Sequence, residues 1–144
     1  MANQTYANHR RTDPAFHIVL LLTLLLTLVG SVNNLYRSIN DHERLYNAAL
    51  LVVLTVVVTW LAFLCRIYAL RAQDRAIRAE ENLRHFALAG KLFDPRLTVR
   101  QIVALRFAPD AEFVPLAARA ASENLAPDAI KRAIKIWRPD TYRI

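Results

Sequence analysis

At 144 residues the chain is too short for two large globular domains, and 55% of it is hydrophobic. It carries a formal charge of +7 and one cysteine, Cys65. That excludes an internal disulfide and a cysteine metal cluster within one chain.

The N-terminal arm, residues 1–14, contains Arg10, Arg11 and Asp13. The first apolar block follows, "PAFHIVLLLTLLLTLVGSVNNLY", with no acid and no Lys or Arg from Pro14 to Tyr36. A helix over 15–36 is about as long as the roughly 20 apolar residues that cross a hydrocarbon core. Its apolar run exceeds a signal-peptide core, and "GSVNNLYRS" offers no small-residue cleavage pattern, so the span is expected to be retained. The connection 37–44, "RSINDHER", balances two basic residues against two acidic ones. The second block, "AALLVVLTVVVTWLAFLC", is apolar around its whole circumference, as a helix surrounded by lipid should be.

Neither Gly nor Pro interrupts 45–89, and Gly90 supplies a residue able to take positive φ after a helix end. One continuous helix is therefore predicted, about 45 residues and about 67 Å long, with its membrane part at about 45–67. The part beyond the membrane has charge pairs at i,i+4, Asp74 with Arg78 and Glu80 with Arg84. An apolar stripe through Leu70, Ile77, Leu83 and Phe86 runs along it. A solvated stalk has no use for such a stripe, so these residues, with Trp137, are the expected docking surface.

Short helices follow over 91–144. "TVRQ" is a capping box opening a helix at 98–107. Asp110 opens a second at 110–124, in which Pro115 either delays the start or kinks it. Pro127 opens a third at 127–137, and Arg138-Pro139 stops it. Ile102, Leu105, Phe107, Leu116, Ile130, Ile134 and Trp137 are expected to pack on one another, on the stalk or on a neighbouring chain. No strand pattern appears. The fold class is all-α: a transmembrane two-helix hairpin, a second span continuing as a cytoplasmic helix, and a three-helix tail.

From Arg66 onward there are fifteen Lys/Arg against nine Asp/Glu. Arg10 and Arg11 share a side with Arg66, Arg71, Arg75, Arg78 and Arg84, while only Arg37 and Arg44 flank the other ends. The positive-inside rule then places both termini in the cytoplasm.

Catalysis has no candidates. The chain has two glycines, Gly30 and Gly90, and hence no phosphate loop. His9, His17, His42 and His85 are scattered, with no H-x-x-x-H or H-E-x-x-H spacing. No enzyme activity, metal or cofactor is expected. Within the spans, Thr23, Thr27, Gly30 and Ser31 fall on one face and Thr55 and Thr59 on another, the pattern of close helix–helix packing. In an oligomer Thr23, Thr27 and Ser31 would face a pore, which makes a two-span channel protomer the alternative reading. Lys131, Arg132, Lys135 and Arg138 cluster on the last helix and suit anionic lipid or an acidic partner. Between Lys91 and Ile144 six acids offset ten bases, and no helix has a base-reading face, so nucleic acid is not expected.

The stretches "YALRAQDRAIRAEENLRHFALAGK", "LTVRQIVALRFAPDAEFVPLAARAASENL" and "APDAIKRAIKIWRPDTYR", with "QTYANHRR" near the start, resemble a bacterial family of small two-span membrane proteins. That family is catalogued only as a domain of unknown function and is sometimes labelled automatically as an ABC transporter permease. The resemblance implies a bacterial inner-membrane location and supplies no activity or site residues. Two spans without a coupling helix or substrate cavity do not make a permease. Where a polar cap would precede the last helix, this chain has Ala126. The expected role is a non-enzymatic accessory or scaffolding subunit in contact with lipid, self-associating or joined to other membrane subunits.

Overall fold

The computed structural model describes residues 4–8 and 12–140. Arg10, Arg11 and His9 lie outside the described residues. Among those described the chain is all-helical and divides into two compact units, 12–68 and a second made of the N-terminal arm with 69–144.

In the first unit a π-helical turn, Ala15–Leu20, runs into α1, Leu21–Arg37. Asp13 holds this start: its Oδ1 accepts from the Ala15 amide at 3.0 Å. After the turn at 38–41 comes α2, His42–Ala89. It begins three residues earlier than the apolar pattern suggests because Asp41 caps it. The Asp41 Oδ1 accepts the amides of Glu43 and Arg44, both at 3.2 Å. The π-helical turn together with α1, Ala15–Arg37, and α2 are each long and apolar enough to cross a membrane.

The second unit takes the distal part of α2. The helix stops where predicted: Gly90 has φ +70°, and its amide donates to Phe86 O at 2.8 Å. A loop follows, in which the Asp94 carboxylate accepts the Arg96 amide at 2.9 Å and its guanidinium Nη2 at 2.7 Å. These bonds hold the Asp94 carboxyl down at about 2, against an ordinary 3.8. Stability from this depressed pKa is complete above pH 3.8 and is lost as pH falls through about 2. Carboxyl NMR should find that low midpoint, rising towards 3.8 in Arg96→Ala. An ordinary midpoint in the native chain would contradict this account.

The next helix, α3 (Val99–Leu105), has the predicted capping box. Thr98 Oγ1 accepts the Gln101 amide at 3.3 Å, and Gln101 Oε1 accepts the Thr98 amide at 2.7 Å. α4 spans Asp110–Ser122 and carries Pro115 in its interior, so the proline does not delay the start. Asn124 ends it with φ 48°, and the Leu125 amide closes back on Ala120 O at 3.1 Å. α5, Pro127–Ala133, begins after Ala126, which contributes no side-chain cap. Proline at the first position needs no partner for an amide hydrogen it lacks.

α5 stops at Ala133, short of the 137 that its apolar pattern suggests. Ile134 is extended, and the Glu112 carboxylate of α4 accepts the amides of Lys135 at 3.0 Å and Ile136 at 3.2 Å. The Arg138 amide then donates to Phe107 O at 2.8 Å. Residues 135–138 are thus tied to α4 and to the segment that follows α3 rather than to their own helix.

α3 packs on α4 and α5, and α4 packs on α5. Leu105, Phe107, Phe113 and Ile130 are the largest fully buried side chains. The aliphatic and aromatic residues expected to pack together do so, with Trp137 partly buried against the same cluster, 4.9 Å from the Phe107 ring. Ala104, Ala117 and Ala120 bring the helices close at almost no exposure.

Candidate functional site

At 100° per residue the distal part of α2 presents two opposite faces. Ile77, Glu81 and His85 are buried on one, with Arg84 beside them. Ala72, Ala76, Ala79, Leu83 and Phe86 lie on the other and are exposed, Leu83 at 68% and Phe86 at 50%.

The buried face is organised by Arg84, whose side chain is 13% exposed. Its Nη1 donates to Glu81 Oε2 at 2.9 Å, its Nε to Asp110 Oδ1 at 2.8 Å and its Nη2 to Ala108 O at 2.8 Å. The guanidinium also lies 4.1 Å from the centroid of the Phe113 ring. Arg84 therefore pairs with Glu81 and with Asp110 of α4, not with Glu80 as i,i+4 spacing suggested. An inward residue meets the charges of the neighbouring helix, while Glu80 is exposed.

His85 is 5% exposed. Its Nδ1 stands 2.7 Å from Lys91 O, and because a carbonyl only accepts, that nitrogen carries the proton. The ring packs on Phe93 at 4.6 Å and Phe113 at 6.1 Å. Asn82 Oδ1 accepts the Phe93 amide at 2.9 Å. This set of contacts fastens α2 to the tail helices and presents no paired base and nucleophile.

The stripe Leu70, Ile77, Leu83 and Phe86 divides between the two faces. Leu70 and Ile77 share the angular position of the buried side, and Ile77 is 8% exposed. Only Leu83 and Phe86 point away from the tail. Trp137 is likewise turned to the core, on Phe107, and is partly buried there, while Ile77 is buried. The charged cluster is partly engaged. Arg132 Nη2 pairs with Asp128 at 3.0 Å, and Arg138 reaches Glu81 at 3.8 Å. Bonding to the Tyr6 hydroxyl and the nearby Asp128 carboxylate hold the Arg132 pKa above its ordinary value. Lys131 lies 5.9 Å from the Phe107 ring centroid, and Lys135 is exposed.

In the apolar unit, Ser31, Ala48 and Thr55 are buried, and Arg66 sits over the Phe16 ring at 5.3 Å. Thr59 is half-buried, but Thr23, Thr27 and Gly30 are exposed. A Cβ at Gly30 would meet nothing within 4 Å, so no close approach requires that glycine. The α1 face carrying Leu24, Leu28, Ser31 and Leu35 is the less exposed one. The hydroxyls are satisfied within their own helices rather than shared. Thr23 donates to Val19 O, Thr27 to Thr23 O and Ser31 to Leu28 O. Thr55 donates to Leu51 O and Thr59 to Thr55 O.

The N-terminal arm joins the tail unit, a connection with no local sequence signal. The Tyr6 hydroxyl donates to Asp128 Oδ1 at 2.6 Å, Arg132 lies over its ring at 5.2 Å, and Gln4 Oε1 accepts the Asp140 amide at 2.7 Å.

No curated protein and no solved structure matches the chain. One family model matches residues 1–144, its entire length, and the chain belongs to that family, described as "Family of unknown function (DUF6526)".

Proposed function

We propose that the protein is a two-span integral protein of a bacterial inner membrane, with both termini cytoplasmic. Its helical cytoplasmic unit acts as a non-enzymatic scaffold. The observation that carries this reading is the attachment of the N-terminal arm to the tail through Tyr6 with Asp128 and Gln4 with Asp140. The two apolar helices lie between these attached segments in the chain. Ends joined in one compact unit must lie on one side of whatever those helices cross. The contact of Arg66 with Phe16 supports a hairpin, since it brings the far end of the second apolar segment to the start of the first.

Insertion itself is supported by exposure. Only 11% of the apolar stretch in each helix is buried, whereas a core helix in a soluble protein is mostly covered. Orientation follows from charge, with Arg66, Arg71, Arg75 and Arg78 after the second span against Arg37 and Arg44 at the turn. A scaffold is the reading that fits a unit whose buried polar groups are occupied in holding helices together while Leu83, Phe86 and Leu92 stay exposed.

Single cysteines placed in a Cys65→Ala background test the topology. An impermeant maleimide should label Asn40→Cys in cells whose outer membrane has been opened. Arg100→Cys should be labelled only after the inner membrane is also lysed. Equal labelling of both sites before lysis would refute the arrangement.

A further inference from the structure

The exposed face of distal α2 has a spacing of its own. Ala72, Ala76, Ala79, Leu83 and Phe86 recur at alternating steps of four and three, the a/d period of a coiled coil. All five are exposed and none is charged. They lie opposite Ile77, Glu81 and His85, so the tail packing of this unit leaves the seam open. Taking Ala76 as an a position puts Arg75 at g and Glu80 at e, and both are exposed. In a parallel pair of helices, residue g of one chain meets the e residue five places later on its partner. Arg75 of each copy would then face Glu80 of the other, twice by symmetry. Antiparallel pairing matches g with g and e with e, which would set arginine against arginine and glutamate against glutamate.

We infer that this face is the dimerisation surface of the protein. A second copy of the chain docks on it in parallel and in register, through Ala72, Ala76, Ala79, Leu83 and Phe86. The inference deepens the scaffold reading and rests on it for one element, orientation: chains inserted in one membrane the same way up present their α2 helices in parallel. Confinement to the membrane also raises the effective concentration of the partner, which a seam of this length needs. The alanines let the two backbones approach closely, and Leu83 and Phe86 supply the large buried contacts at the far end. The flanking charge pairs set register and direction more than strength, as exposed pairs do.

Disulfide trapping of the full chain in native membranes tests this, again in a Cys65→Ala background. Ala72→Cys and Ala79→Cys should both give covalent dimers on mild oxidation, with Arg78→Cys, off the seam, giving about tenfold less or lower. Dimers at 79 without dimers at 72 would overturn the parallel arrangement. Equal trapping at 78 and 79 would overturn the seam, as would no trapping at 72 or 79 while those thiols still react with maleimide. Leu83→Glu should reduce trapping at 79 by about tenfold or more. Glu80→Arg should also reduce it, and Arg75→Glu combined with Glu80→Arg should restore it. A loss of trapping that the charge exchange fails to restore would refute the pairing without depending on how well Leu83→Glu folds. The maleimide labelling of Asn40→Cys and Arg100→Cys is read separately, so a failure of the membrane topology is distinguishable from a failure of the dimer.

Discussion

Replacing Phe113 with alanine is expected to destabilise the unit built on distal α2 and the tail by about 3–5 kcal/mol. Phe113 has no exposure and belongs to the core cluster formed by the tail helices. Its ring meets Phe93 at 5.6 Å and His85 at 6.1 Å, and it carries the Arg84 guanidinium at 4.1 Å. One side chain thus joins α4, α2 and the loop between α2 and α3. Truncation removes much of the roughly 150–250 Å² that a buried aromatic residue takes from water. It also leaves a cavity that three short helices, already close-packed through Ala117 and Ala120, can collapse only in part. Phe113→Leu keeps most of the volume and should cost about 1–2 kcal/mol. Urea unfolding in nanodiscs measures both, with Trp137 emission as the probe in a Trp60→Phe background. Trp137 sits on Phe107 in the same unit, so its emission reports this transition. A loss below about 1 kcal/mol for alanine would mean that Phe113 is not the hub.

Arg84→Ala is expected to cost a similar amount, about 3–5 kcal/mol, for a different reason. The guanidinium satisfies Glu81, whose side chain is only 10% exposed, and the carbonyl of Ala108. Without it Glu81 keeps, among the described residues, the longer contact with Arg138 at 3.8 Å. Asp110 is 67% exposed and regains water at little cost, so the penalty falls on Glu81 and Ala108. Lysine at 84 restores one charge but not a planar fork reaching three acceptors, and should recover about half of the loss. The pair Glu81→Leu with Arg84→Met removes the buried charges together. It should return most of the stability, because the Coulombic gain of a buried pair largely offsets its desolvation. If the double variant were as unstable as Arg84→Ala, the network would be worth more than the cost of leaving one partner unpaired.

The local architecture was legible because its causes are local. The apolar lengths of the two blocks, the positive φ of Gly90, the Thr98 and Gln101 capping box and Pro127 at a helix start each depend on a few neighbouring residues. The apolar residues of the tail core could be named because burial follows the helical period. The partners were not legible. Arg84 takes Asp110, twenty-six residues away, instead of Glu80 four residues away. α5 ends early because Glu112, far back in the chain, holds the amides of Lys135 and Ile136. The stripe along α2 read as one surface because Leu70, Ile77, Leu83 and Phe86 are all apolar. Only the position of the tail divides them, covering Ile77 and leaving Leu83 and Phe86 open.

Thr23, Thr27 and Gly30 show the same limit inside the apolar unit. Small and polar residues at helical spacing suggest a contact face, yet which face of α1 turns inward depends on how Leu24, Leu28 and Ser31 meet their neighbours. By itself the sequence determined an all-helical chain, two apolar helices long enough to cross a membrane, a long second helix and a tail of short ones. Helix content, caps and apolar period are set by interactions within about four residues. The tertiary structure alone decided which side of each helix is spent on packing and which remains available, because that depends on contacts between residues far apart in the chain.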